Sequence, residues 1–236
     1  MTGLDPAVRL PTAVLSMVWD MLDLGEMHPM LGGKRLWVRD GADRRLHAET
    51  IEYLGQLGLA RDAVPTPDFR ATLQVIAYAE GEYFAHSQFS TGTDRSALVA
   101  RRGPDAVRVS VQDDVVEIRQ IAPNRLATAL FDTLPQLPGA PVRSVSVASD
   151  EAPDPFDEST SAEYLNSILD QPREAVHQLY AGRRAAGVHR TGGPIFALDL
   201  VAGRVLTYRT TGERTELIPG DPRAIVKILN ETLEAL

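Results

Sequence analysis

The sequence predicts an α+β fold: one domain with a central antiparallel sheet flanked by helices, built as two quasi-twofold related subdomains, 1–137 and 138–236, from an internal duplication. Three observations lead there. A second copy of an earlier stretch is read at one constant, gapless spacing: Val107 with Leu206, Val109 with Tyr208, Glu117 with Glu216, Ile118 with Leu217, Pro123 with Pro222 and Leu130 with Leu229. A unit that does not bury its apolar face alone packs against its twin. The hydrophobic period also changes from helical to alternating after Glu82, with short Gly- and Asp-bearing turns that favour an antiparallel meander. Finally, 44% apolar and 24% charged residues in a 236-residue chain belong to a folded globular protein with a sizeable core.

The elements follow in order. Val14, Leu15, Val18, Trp19 and Leu22 share one face of a helix over 12–22, stopped near Gly25. Leu36 to Arg39 reads as a brief strand, with Trp37 partly exposed. Asp43 then caps a helix through Leu46, Thr50, Leu54 and Leu57 to Gly58. After a spacer holding Pro65 and Pro67, Asp68 is read as the N-cap of a third helix with Phe69, Leu73 and Ile76 inward. Residues 83–89, 96–101, 107–111 and 115–121 are four strands. Asn124 caps a helix over 125–134 with Leu126, Ala129, Leu130 and Leu134 on one stripe.

The proline-rich stretch 135–141 is the junction between the halves and leads to a strand over 142–147. An acidic loop over 150–158 precedes helices read at 161–169 and 173–182. Residues 195–200, 204–210 and 213–218 repeat the strands. Asp221 and Pro222 then open the last helix as N-cap and N1 proline, with Ile225, Ile228, Leu229, Thr232 and Leu233 inward.

The chemistry is read mostly by exclusion. A net charge of −8 works against a phosphate-tracking nucleic-acid binder, whose affinity comes from Lys and Arg. No cysteine is present, which removes disulfides, thiolate nucleophiles and Cys-based zinc sites. No signal-like or membrane-spanning apolar run is seen, so a cytoplasmic protein without membrane insertion is expected. Histidines 28, 47, 86, 177 and 189 stand singly and read as surface or capping residues, and the acidic loop matches no calcium-loop spacing. No nucleophile elbow, Walker or Rossmann glycine run occurs; Ser87 beside His86 is a poor nucleophile–base pair, because strand neighbours point to opposite faces. The expectation is no enzyme, no cofactor and no metal.

Several stretches together resemble the EspG family of ESX (type VII) secretion-associated proteins. They are Leu15 to Pro29 with its Trp19 and Leu-Gly-Glu exit, Leu54 to Leu59 followed by Pro67-Asp68-Phe69, Leu126 to Pro135 with the strand Val142 to Val147, and Leu198-Asp199 with Gly203-Arg204. The chain departs from that pattern at Val142, where glycine is usual, and in a short loop between Phe89 and Arg95; both bear on partner choice. The resemblance implies a cytosolic chaperone that binds the helical tip of the PPE subunit in a PE/PPE heterodimer and keeps it soluble for export. It also implies a groove formed by the central sheet and the C-terminal helices, and no catalytic residues.

Strand alternation puts Val107, Val109 and Val111 on one face and Arg108 and Ser110 on the other. Arg119, Thr207 and Arg209 are assigned to the same exposed side, with Phe89 as an apolar anchor at a strand end. The alternatives are an interaction module of another pathway, with the same open sheet, and a hydrolase with a deep polar pocket between the halves. Oligomeric state is not encoded in any readable motif.

Overall fold

The computed structural model describes residues 7–32, 43–148, 161–185, 188–210 and 212–236. The strand expected at 36–39, Trp37 and the acidic loop at 150–158 lie outside them. The described residues form an eleven-stranded antiparallel sheet, a small two-stranded hairpin and six α-helices.

The first half begins with β1 (Val8–Pro11), α1 (Thr12–Met21), a 3-10 turn (Pro29–Leu31) and α2 (Asp43–Gln56). A hairpin of β2 (Ala60–Arg61) and β3 (Val64–Pro65) then replaces the expected spacer. It leads into α3 (Pro67–Ala77). Thr66, not Asp68, caps this helix: its hydroxyl accepts from Phe69 N, and Pro67 takes the first position, where a missing N–H costs nothing. Asp68 sits in the first turn, where a carboxylate favours the helix dipole. The meander is as read: β4 (Gly81–Phe89), β5 (Asp94–Arg102), β6 (Asp105–Gln112) and β7 (Val115–Gln120). The closing helix α4 (Leu126–Phe131) is shorter than expected and starts after Arg125 with no side-chain cap, so Asn124 does not cap it.

The second half holds β8 (Val145–Ala148), α5 (Ser161–Leu169), β9 (Arg173–Ala185), β10 (Val188–Thr191), β11 (Ile195–Leu200), β12 (Gly203–Arg209), β13 (Arg214–Pro219) and α6 (Pro222–Glu234). The helix expected over 173–182 is therefore a strand, and the longest one. Ala175, His177, Leu179 and Ala181 are buried in alternation, and β9 has β4 on one side and β11 on the other. Two complete ladders outweigh the helix propensity of Glu, Ala, Gln and Leu. Asp221 caps α6 as read, accepting from Arg223 N and Ala224 N.

The strand order β1-β7-β6-β5-β4-β9-β11-β12-β13-β8 runs outward from its middle as two equivalent meanders, each followed by a helix. Ala85 faces Leu179 at the centre, Ala97 faces Ala85, and Ile195 faces Leu179, so a pseudo-twofold axis passes between Ala85 and Leu179. The gapless spacing does not hold across the whole sheet. Val107 stands opposite Gln120, whereas Val205, not Leu206, stands opposite Pro219. One residue of slip exchanges the faces of a strand. Val107 and Val109 thus pack with α1 and α3, while Leu206 and Tyr208 pack with α4 and α6.

Helices cover both faces of the sheet. On the first face, Leu15, Val18 and Trp19 of α1 and Phe69, Leu73 and Ile76 of α3 bury Phe84, Leu98, Val107, Val109 and Ile118. On the same face further along, Leu165 and Ile168 of α5 bury Leu198, Val205 and Leu217. On the second face, α4 and α6 lie side by side over the centre, burying Tyr83, Val99, Leu179, Ala181 and Leu206. Each fully buried aliphatic or aromatic side chain contributes roughly 1.5–3 kcal/mol.

Candidate partner-binding site

Among the described residues, the two helical covers of the first face leave an interval between them. A row of residues crosses it as direct strand neighbours: Ser96, His86, Gln178, Phe196 and Thr207 on β5, β4, β9, β11 and β12. All five are half-buried. Gln88 and Arg209, two positions along from His86 and Thr207 and so on the same face, are exposed. One end of the row is closed by the Pro29–Leu31 turn, whose Met30 carbonyl accepts from Ser96 Oγ at 2.5 Å. The other end meets the cluster under α5, which Phe196 and Val176 join. With strands about 4.8 Å apart, the interval from β4 to β12 is roughly 14 Å wide. It is a mixed apolar and polar trough, wide enough for one helix of about 10–12 Å.

The six residues assigned from the sequence divide between the two faces. Thr207 lies in the trough and Arg209 at its rim. Arg108, Ser110 and Arg119 lie on the opposite face, because β12 is displaced by one residue relative to the spacing read from the sequence. Phe89 lies there too, by alternation along β4 with Tyr83 and Ala85. They do not form one surface. Phe89 is half-buried, with the Arg95 guanidinium 4.9 Å from its ring centroid and its edge against His177. Ser96, His86, Gln178 and Phe196 of the row were missed. Gln178 was hidden by reading 173–182 as a helix; the alternation Ala175, His177, Leu179, Ala181 was the signal that could have found it.

Two buried polar clusters flank this region. Glu82, 5% exposed, accepts from His189 Nε2 at 2.8 Å, and His28 Nε2 lies 3.6 Å from the same oxygen. Burial raises the Glu82 pKa, but hydrogen bonding and charge from His28 and then His189 outweigh it and hold the carboxyl below its ordinary value. Met30 N donates to His28 Nδ1, so the proton of a neutral His28 sits on Nε2 and faces Glu82. The one lone pair of that tautomer is engaged by Met30 N, and no metal-holding group is found among the described residues.

The second cluster lies on the opposite face. Asp199 accepts from Arg204 Nε at 2.5 Å, Arg204 Nη2 at 2.9 Å and His177 Nε2 at 3.0 Å. A carboxylate only accepts, so His177 donates from Nε2, and in the neutral ring Nδ1 accepts from Ser87 Oγ at 2.8 Å. Ser87 thus pairs with His177, not with its neighbour His86. Burial pushes the Asp199 carboxyl up, and Arg204 followed by His177 pull it down to a net lowered value. The residue types are those of a nucleophile relay, but His177 is wholly buried and Arg204 occupies the carboxylate. The cluster is a polar bridge from β4 through β9 and β11 to β12. Of the histidines read from the sequence as surface or capping residues, His28 caps the Pro29–Leu31 turn, and His28, His177 and His189 all hold buried partners.

A trough between helices on a sheet with two equivalent meanders is a fold that can be compared directly. The profile of the EspG family matches residues 11–231. The chain belongs to the EspG family. No curated protein matches it in sequence. Among solved structures, this EspG-family chain is similar to the Mycobacterium tuberculosis type VII secretion system chaperone EspG5, solved in complex with a PE25-PPE41 dimer. The TM-score is 0.76 at 15% identity, over 98% of this chain and 96% of that one. No helix among the described residues of the EspG-family chain is long and apolar enough to cross a membrane.

Proposed function

We propose that this chain is a non-enzymatic chaperone of type VII secretion that binds the helical tip of the PPE-type subunit of a PE/PPE heterodimer and keeps it soluble. The trough formed by Ser96, His86, Gln178, Phe196 and Thr207 carries this reading. Its width suits a helical tip, and its half-buried aromatic among hydrogen-bonding side chains is the composition of a protein interface. Membership of the EspG family and the similarity of fold to a chaperone solved with a PE25-PPE41 dimer support the partner class. The sealed state of Ser87 and His177 supports a role without catalysis, since a nucleophile must be reached by substrate. The same reading takes 1–137 and 138–236 as descendants of one unit, supported by the strand order.

The test is co-expression with PE/PPE pairs from the same genome and co-purification. Thr207→Arg and Arg209→Glu should abolish recovery of cargo while the thermal midpoint stays within a few degrees. Cargo recovered in full by both variants removes the trough as the site; no recovery of any PE/PPE pair by the unsubstituted chain removes the function.

A further inference from the structure

The second face of the sheet carries a separate feature on its first half. Cross-strand pairing brings Arg9 of β1, Arg119 of β7, Arg108 of β6 and Arg95 and Arg101 of β5 to that face, with Glu117 as the only carboxylate on those strands that shares it. The chain as a whole is acidic, with 32 Asp and Glu against 24 Lys and Arg, so the local sign is inverted. Arg108 and Arg119 are direct cross-strand partners, a juxtaposition of like charges that destabilises a ladder. Glu117 relieves it only in part: one carboxylate oxygen is held by Arg9 at 2.6 Å, and the other pairs with Arg119 at 3.7 Å while leaving Arg108 uncompensated. Arg108 has no ion pair among the described residues. Arg9 and Arg119 are 75% and 54% exposed in their side chains. Val115, 44% exposed, and the polar Ser110 and Gln112 share this face.

We infer that Arg9, Arg108 and Arg119 form a second docking surface, on the face opposite the cargo trough, for a carboxylate-bearing segment of a protein partner. Charge complementarity selects the sign. Planar guanidiniums on adjacent strands offer paired donors that match carboxylates two at a time. The choice of a protein segment over a polyphosphate rests on the company these arginines keep. Glu117 in their midst repels a continuous line of phosphates, and the net charge of −8 opposes any long polyanion, whereas a short acidic segment meets chiefly the local field. Val115, Ser110 and Gln112 add the apolar and hydrogen-bonding contacts of a protein interface. An acidic side chain placed between Arg108 and Arg119 would turn a repulsive pair into a bridged one.

The experiment uses the full chain and a fluorescein-labelled octaglutamate peptide, followed by fluorescence anisotropy. Octaglutamate should bind, with affinity falling about tenfold or more as salt rises to the physiological range. The double substitution Arg108→Ser with Arg119→Ser should weaken binding at least about tenfold and leave the thermal midpoint equal or higher, because the like-charge pair is gone. Thr207→Arg, in the trough, should leave octaglutamate binding unchanged. The inference is overturned if octaglutamate fails to bind, if the double variant binds it as well as the unsubstituted chain, or if oligothymidylate or phosphatidylglycerol vesicles bind this face more tightly than the peptide does.

Discussion

Arg204 and Asp199, on the adjacent strands β12 and β11, form a doubly hydrogen-bonded ion pair with Nε and Nη2 at 2.5 and 2.9 Å from the two carboxylate oxygens. The same guanidinium donates from Nη2 to the Pro135 carbonyl at 3.0 Å. Its backbone receives the linker as well: Arg204 N donates to Pro138 O, and Arg204 O accepts from Ala140 N and Gly220 N. One residue therefore fixes the proline-rich connection between the halves and the turn into α6. Replacing Arg204 with Met should destabilise by about 3–5 kcal/mol, the range for stranding one member of a buried pair. Chemical denaturation would measure it. The double substitution Asp199→Leu with Arg204→Met should recover part of the loss.

Gly220 is the close neighbour of that pair. A Cβ there would meet Arg204 Cγ at 2.5 Å and its carbonyl oxygen at 2.9 Å. Gly220→Ala should cost about 1–3 kcal/mol through overpacking, seen as a lowered urea midpoint with an unchanged slope.

Glu82 and Asp199 predict the acid limit of the fold. Both carboxyls are held below their ordinary values when folded. The unfolded chain then binds more protons than the folded one in the window between the two values. The stability they contribute is present above the unfolded pKa of about 4 and is lost as pH falls through the lower folded value. Thermal midpoints taken downward from pH 6 should therefore fall below about pH 4.5. Glu82→Gln should lower the midpoint at pH 6 and flatten its decline toward acid; an unchanged slope would show that other carboxylates govern the transition.

Tyr83 ties the sheet to α6. Its hydroxyl donates to Asn230 Oδ1 at 2.7 Å, and burial, followed by the charge of Glu234, pushes its pKa up to about 12 against the opposing Arg101 and Arg183. Tyr83→Phe leaves the Asn230 oxygen without its donor and should cost about 1–2 kcal/mol. Ultraviolet titration should show one tyrosine fewer ionising at the alkaline extreme.

The sequence alone determined the elements whose signals are local. The alternating runs of β4 to β7 and of β11 to β13 reappear in the structure, as does the Asp221–Pro222 start of α6, because period-two burial and N-cap chemistry act over a few residues. The order and spacing of those runs also carried the family resemblance, which the match over residues 11–231 bears out.

Only the tertiary structure decided how they are placed. Residues 173–182 became the central strand because β4 and β11 supply both ladders, a long-range condition with little local trace. The one-residue displacement of β12 is set by its pairing with β13 and sends Thr207 and Arg209 to one face while Arg108, Ser110 and Arg119 stay on the other. Neither the trough row from Ser96 to Thr207 nor the bridge from Ser87 through His177 to Asp199 is visible in one dimension. Their members come from separate strands, and in a period-two sheet a single step of register decides which side chains meet.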